Sequence, residues 1–528
     1  MGEEVAAGPA TGKGPSGFRG AWWTDVAARE RFAAGSGILR WMPRAVAEAH
    51  APEDVVALLR WAAAEGVPIV PRGGGTAMPG SNVGPGVVLV FGPGFAQVEW
   101  AGPGRLRVGV GATLAAAQAE ANRRGWRFPV DPSSAPWCTW GGAVSTNAAG
   151  PRTVRFGSVR RWVEAIDLVG GDGGRRVLRR DAGGAVDAPT GFHAWAARLR
   201  ADAALVRSRW PRVTKNSSGY ALREFLDGDD LVDLLVGAEG TLGILLAAEI
   251  ALTRRPAHEG LLLVALPDLE ALGSAVAVLR PLGPATLELI DDVLLARVPS
   301  EERAAAGVPA DAAGLLLVTA EGEDEVAVRA TLAAWADAVR PWAAATATLT
   351  APAALAAVWR WRRHASLRLA TEYAPRVSMQ FIEDCVVPVA ALGAFVRGLR
   401  DILAAHELPA AFFGHAGDGN LHVNPLVDVR RPDWRTAVRA VLEATVEQVV
   451  RLGGTLSGEH GDGRLRAPYL ERIWGPELVA HFRGLKAVWD PANVLNPGVK
   501  LPVPGQDPLD GLGPFETGWR PPRPVDVA

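Results

Sequence analysis

Hydrophobic positions change period several times along this 528-residue chain. Residues 1–17 show no apolar period, are rich in Gly, Ala and Pro, and are expected to be disordered. Residues 18–40 read as an arm or a set of short helices. From Pro52 the pattern becomes mixed helix and strand. Pro52-Glu53-Asp54 opens a helix through Glu65, with acids in the first turn where the helix dipole favours them. Gly66 stops it, and 67–70 reads as a buried strand entering Pro71-Arg72-Gly73-Gly74-Gly75-Thr76. A second unit follows: strands over 87–91 and 105–110, then a helix over 114–124. Gly and Pro punctuation over 131–157 predicts a long structured loop before a strand at 164–169.

After Leu252 the pattern repeats weakly: strand 261–266, amphipathic helix 269–282, strand 315–319, helix 326–339. That duplication predicts a second α+β domain with an antiparallel sheet. Ala411–Phe413, a turn at Gly417-Asp418-Gly419 and an apolar run to 426 predict a hairpin that completes the sheet. A last helix is expected at 434–452, and the Pro- and Gly-rich tail after Leu501 is expected to be extended.

Composition narrows the class. Hydrophobic content of 48% with 21% charged residues is that of a globular chain, and this length calls for two or three domains. A net charge of −2 gives no electrostatic reason to expect nucleic acid. The two cysteines, Cys138 and Cys385, can pair once at most and cannot hold an iron–sulfur cluster that needs four thiolates. The N-terminus lacks the apolar core of a secretory signal. The most hydrophobic long stretch, 231–252, contains Asp233, Glu239 and Glu249, so no membrane span is expected. A reduced, cytoplasmic setting is the default, with a partner as the route to any membrane association.

Two segments hold the densest chemistry: Gly-His-Ala-Gly-Asp-Gly-Asn-Leu-His-Val-Asn at 414–424 and Ser-Gly-Glu-His-Gly-Asp-Gly at 457–463. The hairpin brings His415 and His422 face to face, and the strand period of two puts Asn424 on the face of His422. Two imidazoles and a carboxylate, here Glu459, form a common ligand set for a catalytic divalent metal with an open position. His460, next to Glu459, is placed to act as a base. Histidines satisfied by core hydrogen bonds fit the same pattern, so these residues alone leave the metal open.

Four further motifs are rich in small residues. Pro71–Asn82 follows a strand and carries Thr76 and Ser81; its backbone N–H groups can form a nest for phosphate, although a tight glycine turn has the same sequence. It is neither a dinucleotide-binding G-x-G-x-x-G nor a Walker loop. The second is Asp131-Pro132-Ser133-Ser134 with Gly141 to Gly150, the third Gly237-Ala238-Glu239-Gly240-Thr241-Leu242-Gly243-Ile244, and the fourth Asn493 to Gly498. In this order and spacing they resemble flavoenzymes of the vanillyl-alcohol oxidase type. Within that group the chain is similar to FAD-linked D-2-hydroxyacid dehydrogenases and the glycolate oxidase flavoprotein subunit, over roughly residues 40–500.

The resemblance implies an α+β fold with an FAD-binding domain of two subdomains (41–255) and a cap domain with an antiparallel sheet and the metal site (256–490). A C-terminal return (491–501) and an extended tail (502–528) would complete the chain after an N-terminal arm (1–40). It implies that Pro71, Arg72, Gly73, Gly74, Gly75, Thr76, Gly80 and Ser81 hold the FAD pyrophosphate. Pro132, Ser133, Gly141, Gly142, Ser145, Asn147 and Gly150 would run along the ribityl chain and ring. Glu239, Gly240, Gly243 and Ile244 would contact the adenosine side, and Asn496 the ring edge. Thr76 stands where members with covalent flavin often have histidine, so the FAD is expected to be dissociable. The same resemblance implies a zinc-type ion on His415, His422 and Glu459, with Asn424 on substrate and His460 as base.

The substrate carboxylate needs a cation. Arg362, with Ser366 following, aligns with the family's carboxylate-binding pair, while a solvated basic helix face is the plain alternative. Members acting on D-2-hydroxyglutarate carry a lysine where this chain has Ile382, which points to a lactate- or glycolate-like acid; Arg464 and Arg466 either compensate or cover the surface. Electrons would leave through an iron–sulfur or other electron-transfer partner. A metal-independent FAD alcohol or sugar oxidase and a non-catalytic flavin subunit are the competing readings.

Overall fold

The computed structural model describes residues 14–180, 187–363, 369 and 375–522. Its first half contains two main sheets, besides a two-stranded pairing of Trp126–Arg127 with Thr253–Arg254. In the four-stranded one, Val87–Phe91 lies between Ala45–Ala49 and Ile69–Pro71 in parallel, and Ala21–Trp23 pairs antiparallel at the edge. The arm therefore supplies a strand, followed by the helix Val26–Arg31. The second sheet is antiparallel, ordered Val98–Gly102, Arg105–Gly109, Ile244–Ala251, Val163–Val169, Arg175–Arg179. The two strands read as one unit from sequence thus belong to different sheets. The apolar run at 231–252 supplies the short helix Leu231–Leu235 and the central strand of the second.

Within the predicted loop at 131–157 two short helices form, Trp140–Thr146 and Thr153–Phe156. Their small residues mask the helical period, but Thr139 caps the first by accepting from the Gly142 N–H at 3.4 Å. The predicted helix at Pro52–Glu65 is present and ends at Gly66 with φ 64°.

The second half holds one antiparallel sheet: Ala345–Leu349, His258–Leu266, Gly314–Gly322, Thr286–Asp291, Ala410–His415, Asn420–Val427 and Val377–Ser378 in spatial order, with Cys385–Val386 also pairing to Asn420–Val427. Both faces are apolar. Leu262, Val264 and Leu266 enter one core and Leu261, Leu263 and Ala265 the other, as a period of two requires. The helices Ala271–Leu279 and Glu325–Val339 cover the first face. Pro352–Arg363 covers the second through Val358 and Trp361.

Trp434–Arg451 is not the last helix. Leu470–Trp489 follows, kinked at Gly475 before Pro476, and its Trp474, Phe482 and Trp489 pack in the core of the first half. The return of the chain to that core therefore begins at this helix. Beyond it, Leu512 bridges Leu39 and Phe515 packs against Trp434, so the tail ties the N-terminal segment to the helix Trp434–Arg451. No helix among the described residues is long and apolar enough to cross a membrane.

Candidate active site

A cavity of about 710 Å³ lies where the two halves meet. One end is walled by backbone. Arg72 to Thr76, Gly141, Gly142, Ser145, Gly150, Gly240 and Gly243 all line it, with Pro71, Ser81, Pro132, Ser133, Glu239 and Ile244. Close approach explains the small residues: a Cβ on Gly74 would strike the Trp137 carbonyl, and one on Gly240, at φ 70°, would strike the Pro71 ring. Gly80, Asn147 and Asn496 stand behind the wall. Asn147 caps a helix and accepts from Arg160 N–H at 3.0 Å. Asn496 Nδ2 donates to Ser81 and Glu239 carbonyls at 2.8 and 3.0 Å. The Glu239 carboxylate is also committed, accepting from the Asp462 and Gly463 N–H groups at 2.7 and 3.0 Å.

This end has groups that call for a polar, anionic ligand. Arg72 is 3% exposed, and burial lowers its guanidinium to about 10. Its hydrogen bonds are two long ones, 3.5 Å each, to the carbonyls of Phe32 and Asn82. Ser36 Oγ and both side-chain polar atoms of the buried Asn82 have no hydrogen-bond partner among the described residues. A buried cation beside orphaned polar atoms fits a diphosphate and its sugar.

The other end is built from charged side chains. Phe413 pairs with His422 and His415 with Asn420, so the two histidines are diagonal neighbours on one face rather than direct partners. Their Nε2 atoms lie 3.4 Å apart, and both approach Glu459 Oε1, at 3.0 Å from His415 and 3.3 Å from His422. Each Nδ1 is held outside the cluster: His415 by Glu288 Oε1 at 2.6 Å, His422 by the Glu383 carbonyl at 2.9 Å. Imidazoles pinned at Nδ1 with Nε2 converging on a carboxylate have the arrangement of metal ligands with their supporting shell. The field favours positive charge there. Burial opposes it, but hydrogen bonds to Glu383 and Glu459 raise the His422 imidazole to about 9.

His460 stacks on His422 at 5.3 Å between ring centroids and remains 29% exposed to the cavity. Glu383 Oε2 holds its Nδ1 at 2.7 Å, and Asp384 Oδ2 accepts the backbone N–H groups of Glu459 and His460 at 3.1 and 2.8 Å. Its Nε2 lies 3.6 Å from Glu459 Oε1. Asn424 is 2% exposed, lines the cavity, and its Oδ1 lacks a hydrogen-bond partner among the described residues.

Arg362 is buried, not on a solvated helix face. Its Nε donates to Glu288 Oε2 at 2.9 Å, and its guanidinium sits 5.0 Å from the Phe413 ring. Ser366 lies outside the described residues. Arg464 and Arg466 neither cover the surface nor offer a spare cation. Arg464 donates to the carbonyls of Val83 and Pro497, and Arg466 is spent on Glu383 and Asp384. Ile382 packs in the core and does not line the cavity. Both cysteines are free and buried; burial pushes the Cys138 thiol up to about 11 and the Cys385 thiol to about 12.

Four ions at this end escaped the sequence reading: Lys215, Glu288, Glu383 and Asp384. Lys215 Nζ lies 2.7 Å from Glu459 Oε2 and donates to Asn420 Oδ1 at 2.9 Å. Burial opposes the Glu459 charge, but Lys215 and His415 hold its carboxyl well below the usual range. Glu383 is held down in the same way by His460 and Arg466. For Glu288 the same contest, with His415 and Arg362 as the cations, ends at about 2. A signal was present for three of them: Glu288, Glu383 and Asp384 are acids inside apolar runs.

Residues 43–179 match the FAD binding domain family, and residues 255–499 match the C-terminal domain of FAD linked oxidases. The glycolate oxidase subunit GlcD of Bacillus subtilis is 30% identical over 87% of this chain and 88% of its own length. The chain belongs to the FAD-linked oxidase family. It is a flavin-binding oxidoreductase of the vanillyl-alcohol oxidase type, related to the D-2-hydroxyacid dehydrogenase and glycolate oxidase members. A D-2-hydroxyglutarate dehydrogenase of Xanthomonas citri pv. viticola is 31% identical over 87% of the chain and 90% of its own length. A D-lactate dehydrogenase of Archaeoglobus fulgidus is 29% identical over 84% and 88%. The fold recurs in 4-ethylphenol oxidase from Gulosibacter chungangensis, with a TM-score of 0.65 at 14% identity over 92% of this chain and 94% of that one.

Proposed function

We propose that the chain oxidises a D-2-hydroxyacid of lactate or glycolate size to the 2-oxoacid, using dissociable FAD and a divalent metal, zinc by its donor set, and passing electrons to a separate carrier such as an iron–sulfur protein. The observation that carries this reading is the meeting of His415, His422, Glu459 and His460 in the same cavity as the glycine-walled end. When bound, the flavin supplies a hydride acceptor, and a cation on His415, His422 and Glu459 supplies Lewis acidity toward the substrate hydroxyl.

The side chains divide the remaining work. Arg362 takes the substrate carboxylate and Asn424 orients the acid by accepting from it at the unpartnered Oδ1. His460, anchored at Nδ1 by Glu383, accepts the hydroxyl proton at Nε2. Lys215 and Arg466 balance the carboxylates that hold these groups in place. Among the described residues, Lys215 and Arg466, the buried cations beside Glu459 and Glu383, are each paired to a carboxylate, and Ile382 adds no cation to the cavity, which supports an acid without a second carboxylate.

An anaerobic screen of D- and L-2-hydroxyacids against the FAD-loaded protein tests the proposal. Bleaching of the flavin by glycolate or D-lactate, absent for L-lactate, is expected. Bleaching by simple alcohols or sugars, or by no acid at all, refutes it.

A further inference from the structure

Glu288 is among the most enclosed ions at the site. It sits inside the apolar strand Thr286–Asp291, with no solvent exposure. The register that pairs Leu289 with Gly414 and Ile290 with Phe413 puts Glu288 beside His415 on the site face. Its two oxygens serve two partners, Oε1 to His415 Nδ1 at 2.6 Å and Oε2 to Arg362 Nε at 2.9 Å. Both partners must donate. Arg Nε has no other role, and His415 can offer the Nε2 lone pair to a cation only with its proton on Nδ1. A carboxylate accepts at both oxygens, so Glu288 satisfies both at once.

We propose, resting on the function given above, that Glu288 is a positioning residue that fixes the His415 tautomer and the Arg362 guanidinium together. The metal-holding and carboxylate-binding halves of the site are thereby built on one buried carboxylate. Its links keep Nε2 of His415 turned toward Glu459 and the Arg362 guanidinium over the Phe413 ring.

Glu288→Gln tests this. An amide has one acceptor oxygen and one donor nitrogen, so its NH₂ must face either the His415 or the Arg362 donor, and one link breaks. Two constants are read on FAD-loaded protein without turnover. One is zinc affinity by chelator competition; the other is pyruvate affinity by perturbation of the flavin spectrum. At least one is expected to weaken by about 10–100-fold, the range for loss of a group supporting a metal ligand. Arg362→Lys should weaken pyruvate binding and leave zinc affinity unchanged. Should Glu288→Gln fail to retain FAD, Glu288→Asp reads the same constants, because the side chain is one methylene too short to reach both partners. Both constants unchanged in the variant that retains FAD would overturn the role of Glu288. Wild-type protein that binds neither zinc nor pyruvate is a different result: it removes the functional reading and this role with it.

Discussion

The two ends of the cavity are made of different material. At the glycine-walled end the wall is mostly backbone, supplied by short runs such as Arg72 to Thr76 and Gly141-Gly142 with Ser145 and Thr146. At the acid end it is ionised side chains drawn from distant segments: Lys215, Glu288, Arg362, Glu383 and Asp384, the histidine hairpin, and Glu459-His460. A backbone surface requires residues that stay out of the way, and each run does this by itself. A buried ion requires a partner, and the partner comes from elsewhere in the chain. Each charge at the acid end is therefore held by at least one other segment, whereas at the glycine-walled end Arg72 has two carbonyls and the Phe32 ring, and no carboxylate partner among the described residues.

If the ends are functionally separate, damage to one should spare the other. The largest effect is expected from His415→Ala, or from a strong chelator. Losing several kcal/mol of Lewis-acid stabilisation, at 1.36 kcal/mol per tenfold, lowers turnover by about 10³-fold. The flavin absorbance should stay bound through gel filtration, and its loss would show that the two ends are coupled. His460→Ala comes next, lowering turnover by at least about 10²-fold in stopped-flow flavin reduction, with FAD and zinc content unchanged. An unaltered rate would move the base elsewhere.

At the other end, Gly74→Val forces a side chain against the Trp137 carbonyl. At roughly 1–3 kcal/mol for overpacking, FAD affinity should fall by about 10–100-fold, while zinc affinity measured on the apoprotein stays the same. The smallest change sharpens the comparison most. Arg72→Met removes a buried cation that has no carboxylate partner among the described residues. FAD affinity should fall by about tenfold, the lower range for a lost hydrogen bond to a charged group. The melting temperature of the apoprotein should rise or hold, because a desolvated charge has gone. A fall in apoprotein stability would mean that the Phe32 ring and the two carbonyls outweigh the cost of burying the Arg72 charge.

The same contrast explains what could be read from the chain. Elements with a clear period, Pro52–Glu65 and Glu325–Val339, lie where the pattern puts them. Trp140–Thr146 was hidden because its small residues erase the period, and Leu470–Trp489 because Gly475 and Pro476 interrupt it. The glycine motifs and the histidine segments were visible since each is contiguous. Lys215 left a fainter trace. Only four of the 55 basic residues are lysine, and the three described here, Lys215, Lys486 and Lys500, are all buried. In a chain that otherwise uses arginine, a lysine marks a place where a compact charge on a slim stem fits and a planar fork does not.

By itself the sequence determined the class of fold, and it made visible the glycine-rich runs and the groups that meet as a candidate metal cluster, because those depend on local period, on glycine and on neighbouring residues. Only the tertiary structure decided how those groups are held. Strand register set Glu288 beside His415, the domain interface brought Lys215 to Glu459, and the Glu383-Asp384 pair fixed the loop that bears His460. Burial makes an ion depend on its partner, and partners that lie up to 244 positions apart, as Lys215 and Glu459 do, leave no shared pattern along the chain.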